Sequence, residues 1–363
     1  MTNKNILMYG PLCPPIHGQS LSFTLITQNF LCGKKYIVNT NYTNAGVFGK
    51  AYITLRAVVQ SLYYLSTKKI DLVFFSSSRS VSGAVKDLCL INIAAFFKVK
   101  MVNHVQGADF DNLLTNKPRW FTKWVENSYN KVQTTIVLME GMKKPFMRFK
   151  SMQLRVLPNV YDPALDQFDD SGKVKNDEYF ELLYLSNLMR TKGIIEVVDA
   201  FRLWSQKQKN VRLNIAGTFV NDAECSAQEI KDIFDERVKG ADNIVYHGVV
   251  KGENKSKLLY ASDVFVLPSY YAAEAFPLSI VEAMRAGCAI ITTRFNYLEE
   301  VVTPKNGVLV NIRDVNALVD AFDYLIKNPK TLQEIKDNNV AEAKEKYSLA
   351  TSLESLARII NEQ

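Results

Sequence analysis

Short apolar runs alternate with longer stretches of helical periodicity along the whole chain. In the first half, six runs rich in apolar and β-branched residues predict strands, at 6–9, 36–38, 72–75, 101–105, 135–138 and 155–157. The stretches between them, such as 50–66 and 84–97, have the spacing of helices. The pattern then restarts with six further strands, at 182–185, 212–215, 244–247, 264–267, 289–293 and 308–310. Alternating strands and helices predict parallel sheets with helices on both faces.

The two series of strands predict two domains in tandem. The length of 363 residues agrees, because it exceeds the ~250–300 residues at which a single core stops growing. Residues 163–177, in a stretch rich in Asp, Pro and Gly, are the predicted linker between a first domain at 1–162 and a second at 178–350. The last helix, within 351–363, could pack back on the first domain. We therefore predict an α/β protein with two doubly wound, Rossmann-like domains facing a cleft, where ligands bind beyond the carboxyl ends of the strands.

Several features indicate a cytoplasmic protein. The amino terminus reads as a first strand that runs into a turn at Gly10–Pro11, without the long apolar region of a signal peptide. The longest apolar stretch, 88–97, is shorter than the ~20 residues needed to span a bilayer. The five cysteines are scattered and form no C-x-x-C pair. We therefore expect free, buried thiols rather than a disulfide framework or a zinc site.

The net charge of +7 conceals an asymmetry between the two halves. Residues 1–162 contain 20 Lys and Arg against 7 Asp and Glu, a net charge of +13, whereas the remainder contains 24 against 30, a net charge of −6. A basic first half indicates an anionic partner, or only a charged, soluble surface. Nucleic acid, a membrane surface and phosphate-bearing small molecules are candidates, although no helix-turn-helix, zinc finger or basic-aromatic RNA motif supports nucleic acid.

The strongest local signal lies at 269–293. Pro277 suits the first turn of a helix, which we predict over 277–286. Its amino terminus would present free N–H groups and the positive end of the helix dipole, which suit a phosphate group. Glu274 lies just before that end and Glu282 within the helix, so a bound diphosphate would have one carboxylate on each side. An isolated pair at this spacing is more often simply solvated.

Further motifs follow one another in a fixed order. In the second half they are residues 261–269, Glu274, Phe276-Pro277-Leu278, Glu282-Ala283-Met284, Ala286-Gly287, Glu300 and Asn306-Gly307. This set resembles the donor-binding signature of the retaining GT-B glycosyltransferases known as family 4. Upstream, 183–201 is similar to the opening strand and Lys-Gly turn of that family's second domain, 157–162 to its linker entry, and 14–20 to its first glycine loop. The resemblance covers nearly the whole chain and implies a two-domain GT-B fold.

The resemblance implies a role for each matched position of the second domain. Glu274 would contact the donor sugar. The backbone at the helix start would contact the diphosphate, at Phe276, Pro277 and Leu278. Glu282 would hold the ribose hydroxyls, a task that suits a carboxylate because it accepts two hydrogen bonds at once.

Two cations and a glycine complete the implied donor site. Lys192 would neutralise the diphosphate, and Gly18 would let a first-domain loop approach the sugar phosphate. Arg190 and Lys192 also precede a helix predicted near Gly193, where a positive charge opposes the helix dipole and a bound anion would remove the conflict. The family commonly has an arginine where this chain has Asn187, so either Arg190 substitutes for it or donor binding is weaker.

The first domain contains one candidate catalytic residue and one motif that is also typical of a different fold. His104 lies near the carboxyl end of a predicted strand, where a histidine is often structural. The family has a histidine there, near the donor sugar and the acceptor, so we predict a catalytic role. Asp109 and Asp111 form D-x-D, a metal-nucleotide motif of another glycosyltransferase fold. This motif is common, and a helix terminus with a lysine can do the same electrostatic work, so we expect neither metal nor cofactor.

The segment 117–124 mixes two tryptophans and a phenylalanine with three cations. Such a mixture suits a membrane interface, although the aromatic residues could equally form the buried stripe of a helix. Anionic lipid would attract the basic first half by roughly 1 kcal/mol per cation. A lipid-linked acceptor would fit both features.

The sequence thus predicts a retaining glycosyltransferase. It would move a sugar from a UDP- or GDP-sugar to a glycan or lipid-linked glycan, in bacterial polysaccharide or lipopolysaccharide assembly. Two alternatives stay open. One is a nucleotide-sugar hydrolase or epimerase on the same fold, and the other is a catalytically weak scaffold within a glycan-assembly complex.

Overall fold

The structure, a computed structural model, describes residues 1–15, 18–41, 46–78, 80–168 and 178–363. It divides into two compact units. The first unit combines Met1–Asn159 with Leu349–Gln363, and the second spans Val160–Ser348. Residues 169–177 of the predicted linker, and two residues of the predicted glycine loop at 16 and 17, lie outside the described residues.

The first unit is built on a six-stranded parallel sheet. Its strands are β1 (Ile6–Gly10), β2 (Lys35–Asn39), β3 (Leu72–Ser76), β4 (Lys100–His104), β5 (Thr134–Val137) and β6 (Gln153–Val156). They are ordered β2-β1-β3-β4-β5-β6, and every neighbouring pair is parallel. The central strands β1 and β3 are buried along their whole length. Their nearly continuous apolar sequence follows from this burial on both faces.

Helices connect these strands. They are α1 (Gly18–Asn29), α2 (Val47–Thr67), α3 (Val81–Phe96) and α4 (Arg119–Tyr129), with short 3-10 turns at Phe110–Leu113 and Glu140–Phe146. The helix α3 contacts both α2 and α4, so these three form one layer. The C-terminal helix (Leu349–Asn361) belongs to this unit and packs against α1. It contributes Leu356 and Ile360 to the core that contains Phe23 and Phe30.

The second unit repeats the architecture. Its strands are β7 (Phe180–Leu185), β8 (Val211–Ala216), β9 (Ile244–Tyr246), β10 (Val264–Leu267), β11 (Ala289–Thr293) and β12 (Gly307–Val310), in the order β12-β11-β10-β7-β8-β9. All neighbouring pairs are parallel. Its helices are α5 (Ala164–Phe168), α6 (Ile194–Ser205), α7 (Ala227–Val238), α8 (Gly252–Ala261), α9 (Leu278–Arg285), α10 (Leu298–Val301), α11 (Val315–Lys327) and α12 (Pro329–Lys346). The C-terminal helix described above is therefore α13.

The strand order reverses at one place in each sheet. In the first unit β1 lies between β2 and β3, and in the second β7 lies between β8 and β10. Loops that leave such a pair of strands diverge and open a crevice at the carboxyl ends, where α/β proteins bind ligands. In the second unit these are the loops after β7 and after β10.

The predicted class of two doubly wound parallel sheets is confirmed, and each of the twelve predicted strands is present. Helix ends differ from the predictions. The helix α9 begins at Leu278, with Pro277 as its cap. The helix α3 begins three residues before the predicted start because the side chain of Ser80 accepts a hydrogen bond from the N–H of Gly83.

The prediction of buried cysteines is wrong for four of the five, since only Cys288 is buried.

Candidate functional site

The loop after β7 brings Lys192 to the place where the strand order reverses. A 3-10 turn at Arg190–Lys192 precedes α6. Gly193 joins the two with a φ of +74°, a left-handed conformation that glycine adopts without strain. A side chain here would bring its Cβ within 2.5 Å of the carbonyl oxygen of Pro268, in the loop after β10. Glycine at this position therefore lets the two loops approach each other.

Lys192 and Glu274 form an ion pair between these two loops. Nζ of Lys192 contacts Oε2 of Glu274, and the two side chains are only 13% and 9% exposed. The hydroxyl of Ser269 donates a hydrogen bond to the same carboxylate oxygen, at 2.8 Å. Nζ of Lys192 also lies 5.4 Å from the centroid of the Tyr271 ring, a cation–π contact. Opposite charges 82 residues apart in the sequence are thus held together near the strand ends.

The loop that carries Glu274 is fixed by hydrogen bonds to its backbone. The side-chain amide of Asn296 donates to the carbonyl oxygens of Ala272, at 3.0 Å, and Glu274, at 3.2 Å. The N–H of Glu274 donates to the carbonyl oxygen of Tyr271, at 2.8 Å. The position of the carboxylate therefore follows from a fixed loop. The local sequence does not predict this role of Asn296, because its hydrogen-bond partners lie more than twenty residues earlier in the chain.

The amino terminus of α9 follows the same loop. Pro277 occupies the cap position and makes no side-chain hydrogen bond to the first turn. Phe276 is buried and packs edge-on against Tyr347, with 5.4 Å between ring centroids, so the chain enters α9 in a fixed direction at Leu278. The first-turn N–H groups and the positive end of the helix dipole make this terminus suited to an anion.

Glu282 lies on the second turn of α9 and is buried. Its Oε1 accepts a hydrogen bond from Nζ of Lys255 at 2.9 Å, and the same ammonium group lies 3.1 Å from Asp162. Burial raises the pKa of Glu282 above its ordinary value, and the positive charge of Lys255 opposes that rise. Lys255 is therefore part of the arrangement, although nothing in its local sequence distinguishes it from a solvated lysine.

Arg190 is engaged within its own unit. Its guanidinium group pairs with Glu196 on α6, with 3.0 Å between Nη2 and Oε1. The carboxylate is buried whereas the arginine side chain is 28% exposed, so the arginine balances a buried charge. The hypothesis that Arg190 replaces the family arginine at Asn187 stays a prediction.

In the first unit His104 is the last residue of β4 and is buried. Burial lowers the pKa of His104 to about 4, so the imidazole is neutral near pH 7. The side-chain amide nitrogen of Gln106 lies 3.0 Å from Nε2 of the ring and donates to the hydroxyl of Ser22 at 3.1 Å. Gly18 begins α1 in the same unit. The neutral ring can exchange hydrogen bonds with a ligand but brings no charge.

A buried ion pair in the first unit was not foreseen from the sequence. Lys86 and Asp87 are 2% and 1% exposed, with 2.7 Å between Nζ and Oδ1. Lys86 also donates to the hydroxyl of Ser78 at 2.7 Å, and Asp87 accepts the N–H of Ser78 at 2.6 Å. Nζ lies 5.2 Å from the centroid of the Tyr9 ring. The pair connects α3 to the loop after β3. The sequence did not predict it because adjacent charged residues on a helix are ordinarily solvated.

Two further motifs have structural neighbours. Asp111 of the D-x-D motif lies 3.6 Å from Arg148, and both are exposed. In the segment 117–124, Phe121 is buried and packs in the core, whereas Trp120 is 68% exposed on the surface. In the part of the chain that the structure describes, no group of three or more His, Cys, Asp or Glu could hold a metal ion, and no helix is long and apolar enough to cross a membrane.

The two units, each with a six-stranded parallel sheet, match the GT-B fold of solved structures. The chain aligns over 99% of its length with the whole of HepE from Anabaena, solved in complex with UDP, at a TM-score of 0.73 and 15% identity. This likeness establishes the fold alone.

Residues 166–342 match the family glycosyl transferases group 1. Lys192, Glu274 and Glu282 lie within this segment. Mannosylfructose-phosphate synthase of Agrobacterium fabrum is 30% identical over 180 residues, which are 45% of this chain and 37% of that protein. Poly(glycerol-phosphate) alpha-glucosyltransferase of Bacillus subtilis is 27% identical over 187 residues, 51% of this chain and 26% of that protein. The chain thus spans less than half the length of these curated relatives.

Proposed function

We propose that the protein is a retaining glycosyltransferase that moves a sugar from a nucleoside diphosphate sugar to an acceptor hydroxyl. The observation that carries the proposal is the arrangement of the second unit. There the pair of Lys192 and Glu274 and the amino terminus of α9 lie in the segment that matches glycosyl transferases group 1. HepE, which has the same fold, was solved with UDP bound. We take a UDP- or GDP-sugar as the donor.

In the proposed donor site, different groups of the second unit bind different parts of the donor. Lys192 and the backbone at 276–278 hold the diphosphate, and Glu282 holds the ribose hydroxyls. In the structure the charge of Lys192 is balanced by Glu274. A diphosphate would compete for Lys192 and free the carboxylate of Glu274 for the hydroxyls of the sugar. For Gly18 and His104 of the first unit, the roles that the resemblance implies toward the sugar phosphate and the sugar stay predictions.

In the proposed reaction the acceptor oxygen bonds to the anomeric carbon while the bond from that carbon to the diphosphate oxygen breaks. The leaving diphosphate takes the electron pair and then the proton of the acceptor. Attack and departure on the same face of the sugar retain the anomeric configuration. Because negative charge develops on the diphosphate, Lys192 and the dipole of α9 are the groups expected to stabilise the transition state. They supply positive charge without a metal ion.

The first test is the thermal stability of the purified protein with UDP-, GDP- and ADP-sugars in the absence of added metal. A donor at 100 times its Kd stabilises by about 2.7 kcal/mol, which is a measurable shift in Tm. Glu282→Ala should reduce this shift. Glu274→Ala should keep much of it and lose most transfer to an acceptor. Glu253→Ala, which removes an exposed carboxylate of α8, is the matched control and should behave as wild type.

A scaffold role within a glycan-assembly complex is the second candidate. It is favoured by Asn187, which stands where the family commonly has an arginine, and by the pairing of Arg190 with Glu196. A folded protein whose Tm shifts with no donor would support the scaffold and oppose transfer. Release of nucleoside diphosphate that requires an acceptor would separate transfer from hydrolysis or epimerisation, because neither of these needs a second sugar.

We also propose a glycan or lipid-linked glycan as the acceptor, in bacterial polysaccharide assembly at the inner face of the cell membrane. Two observations support this setting. One relative is, by name, a poly(glycerol-phosphate) alpha-glucosyltransferase. Residues 1–162 carry a net charge of +13, which would attract an anionic lipid surface.

A further inference from the structure

The outer face of α2 is an exposed apolar stripe. Five large side chains, between 47% and 93% exposed, follow one another in alternate steps of four and three residues: Phe48, Tyr52, Leu55, Val59 and Leu62. Steps of this size place them on one side of a helix. The helix has 21 residues and is therefore about 31 Å long, so the stripe extends over most of its length.

The opposite side of α2 accounts for its packing within the first unit. Ala57, Ser61 and Leu65 are buried, and α2 contacts α3 and β2. Among the described residues, the stripe is thus not needed for the core. Single exposed apolar side chains are normal on protein surfaces. A contiguous patch of several indicates a surface that binds another molecule.

Charge decides which kind of partner fits the stripe. The first 70 residues contain seven Lys and Arg and no Asp or Glu. Of these, Lys50 and Arg56 are exposed on α2 itself, and Nζ of Lys68 lies 5.8 Å from the centroid of the Tyr63 ring at its end. A second copy of α2 would bring cations against cations without a carboxylate to pair with them. Anionic lipid headgroups complement the charges of Lys50, Arg56 and Lys68.

We propose that α2 docks the protein on an anionic lipid bilayer. The stripe enters the boundary between headgroups and acyl chains, and the cations lie among the headgroups. Tyr52 and Tyr63 suit this depth because each joins an apolar ring to a polar hydroxyl. The exposed Trp120 lies in the first turn of α4, at the same edge of the helix layer as Phe48, because helices that connect parallel strands start at the carboxyl ends of the strands. The proposal rests on the proposed function for its purpose, which is access to a lipid-linked acceptor, but lipid binding is independent of sugar transfer.

The test is sedimentation of the full chain with vesicles of phosphatidylcholine, with and without phosphatidylglycerol. Wild type should bind only the anionic vesicles, and added salt should weaken binding. The combined variant Phe48→Ser, Leu55→Ser and Val59→Ser should lose at least about tenfold in affinity. Lys50→Gln should lose about fivefold.

A matched control removes two exposed apolar side chains from the second unit. Leu203→Ser combined with Tyr324→Ser changes residues that are 49% and 47% exposed and should bind vesicles as wild type does. Because every changed residue is exposed, all variants should keep the wild-type Tm. Failure of wild type to bind anionic vesicles, or full binding by the triple stripe variant, would overturn the proposal.

Two further readouts separate the remaining outcomes. A wild-type dimer in solution that the triple stripe variant converts to a monomer would assign the stripe to a second copy of the chain and overturn docking on lipid. Transfer to a water-soluble acceptor should be equal in wild type and in the stripe variant. Absence of transfer in both, with vesicle binding intact, would overturn the proposed function and leave the docking surface standing.

Discussion

Replacing Lys192 by methionine tests the ion pair at the candidate site. Methionine keeps most of the apolar stem but removes the ammonium group from the carboxylate of Glu274. Only 9% of that side chain is exposed, so the carboxylate cannot turn into water without moving its loop. Removing one partner of a buried pair costs about 3–5 kcal/mol, because an uncompensated charge remains. Against a total stability of about 5–15 kcal/mol, this is a large loss.

A double variant shows whether the cost arises from the charge. Lys192→Met combined with Glu274→Gln removes both charges, while glutamine can still accept the hydrogen bond from Ser269. This double variant should regain about 2 kcal/mol or more relative to Lys192→Met alone. Glu274→Gln alone should cost less than Lys192→Met, since a flexible ammonium stem can reach water.

Urea unfolding of the four proteins measures the coupling between the two positions. Trp204 is buried in the second unit, so its fluorescence reports that unit when Trp120 and Trp124 are replaced by phenylalanine in every protein. The expected coupling energy is about 2 kcal/mol or more, and effects that add within about 0.5 kcal/mol would refute the reasoning. Lys192→Met should also lose most of the thermal shift produced by a nucleoside diphosphate, because the lysine is its proposed neutralising group.

Two further predictions concern residues that shape the sheet edges. Burial lowers the pKa of His104 to about 4, against ~6.5 for an exposed histidine. Between these values the unfolded chain binds more protons, so stability should fall as the pH drops, by about 2 kcal/mol at pH ~5. Urea unfolding at pH ~7 and ~5 measures this loss of stability. A His104→Gln variant that lost as much stability as wild type between these pH values would show that His104 is not its cause. Gly193→Ala should cost about 2–4 kcal/mol, since its Cβ would meet Pro268. Gly240→Ala, at a similar φ of +73° but with nothing within 4 Å, should cost only about 1 kcal/mol in the same assay, and equal costs would exclude the close approach.

The sheets could be predicted from the sequence because most strands are short apolar runs between turn signals. The runs at 264–267 and 289–293 coincide with β10 and β11 to the residue. Both strands are buried, which requires a continuous apolar run with clear ends. Helix starts are harder to predict because they depend on single capping groups. The cap at Ser80, for example, lies outside the apolar period of α3.

The side-chain pairs of the candidate site could not be predicted from local sequence. Lys192 and Glu274 are 82 residues apart, and Lys255 and Glu282 are 27 apart. Each of these residues taken alone resembles a solvated charge. The parallel pairing of β7 with β10 brings the first pair together, since both loops leave the same edge of the sheet. The resemblance to family 4 singled out three of these four positions but gave no sign that each of them is paired with an opposite charge.

The charges of the candidate site explain how an acidic half of the chain can hold an anion. Residues 163–363 carry a net charge of −6, so the field of this half as a whole does not attract a diphosphate. Three cations near the proposed site are each paired with a carboxylate of the same unit: Lys192 with Glu274, Lys255 with Glu282, and Arg190 with Glu196. Binding of a donor must then exchange one partner for another at short range, where screening by salt is weak. The exposed cations around α2 act through solvent instead, so salt should weaken lipid docking far more than donor binding. The two proposed surfaces differ in this respect because one set of charges is paired and largely buried, and the other is unbalanced and exposed.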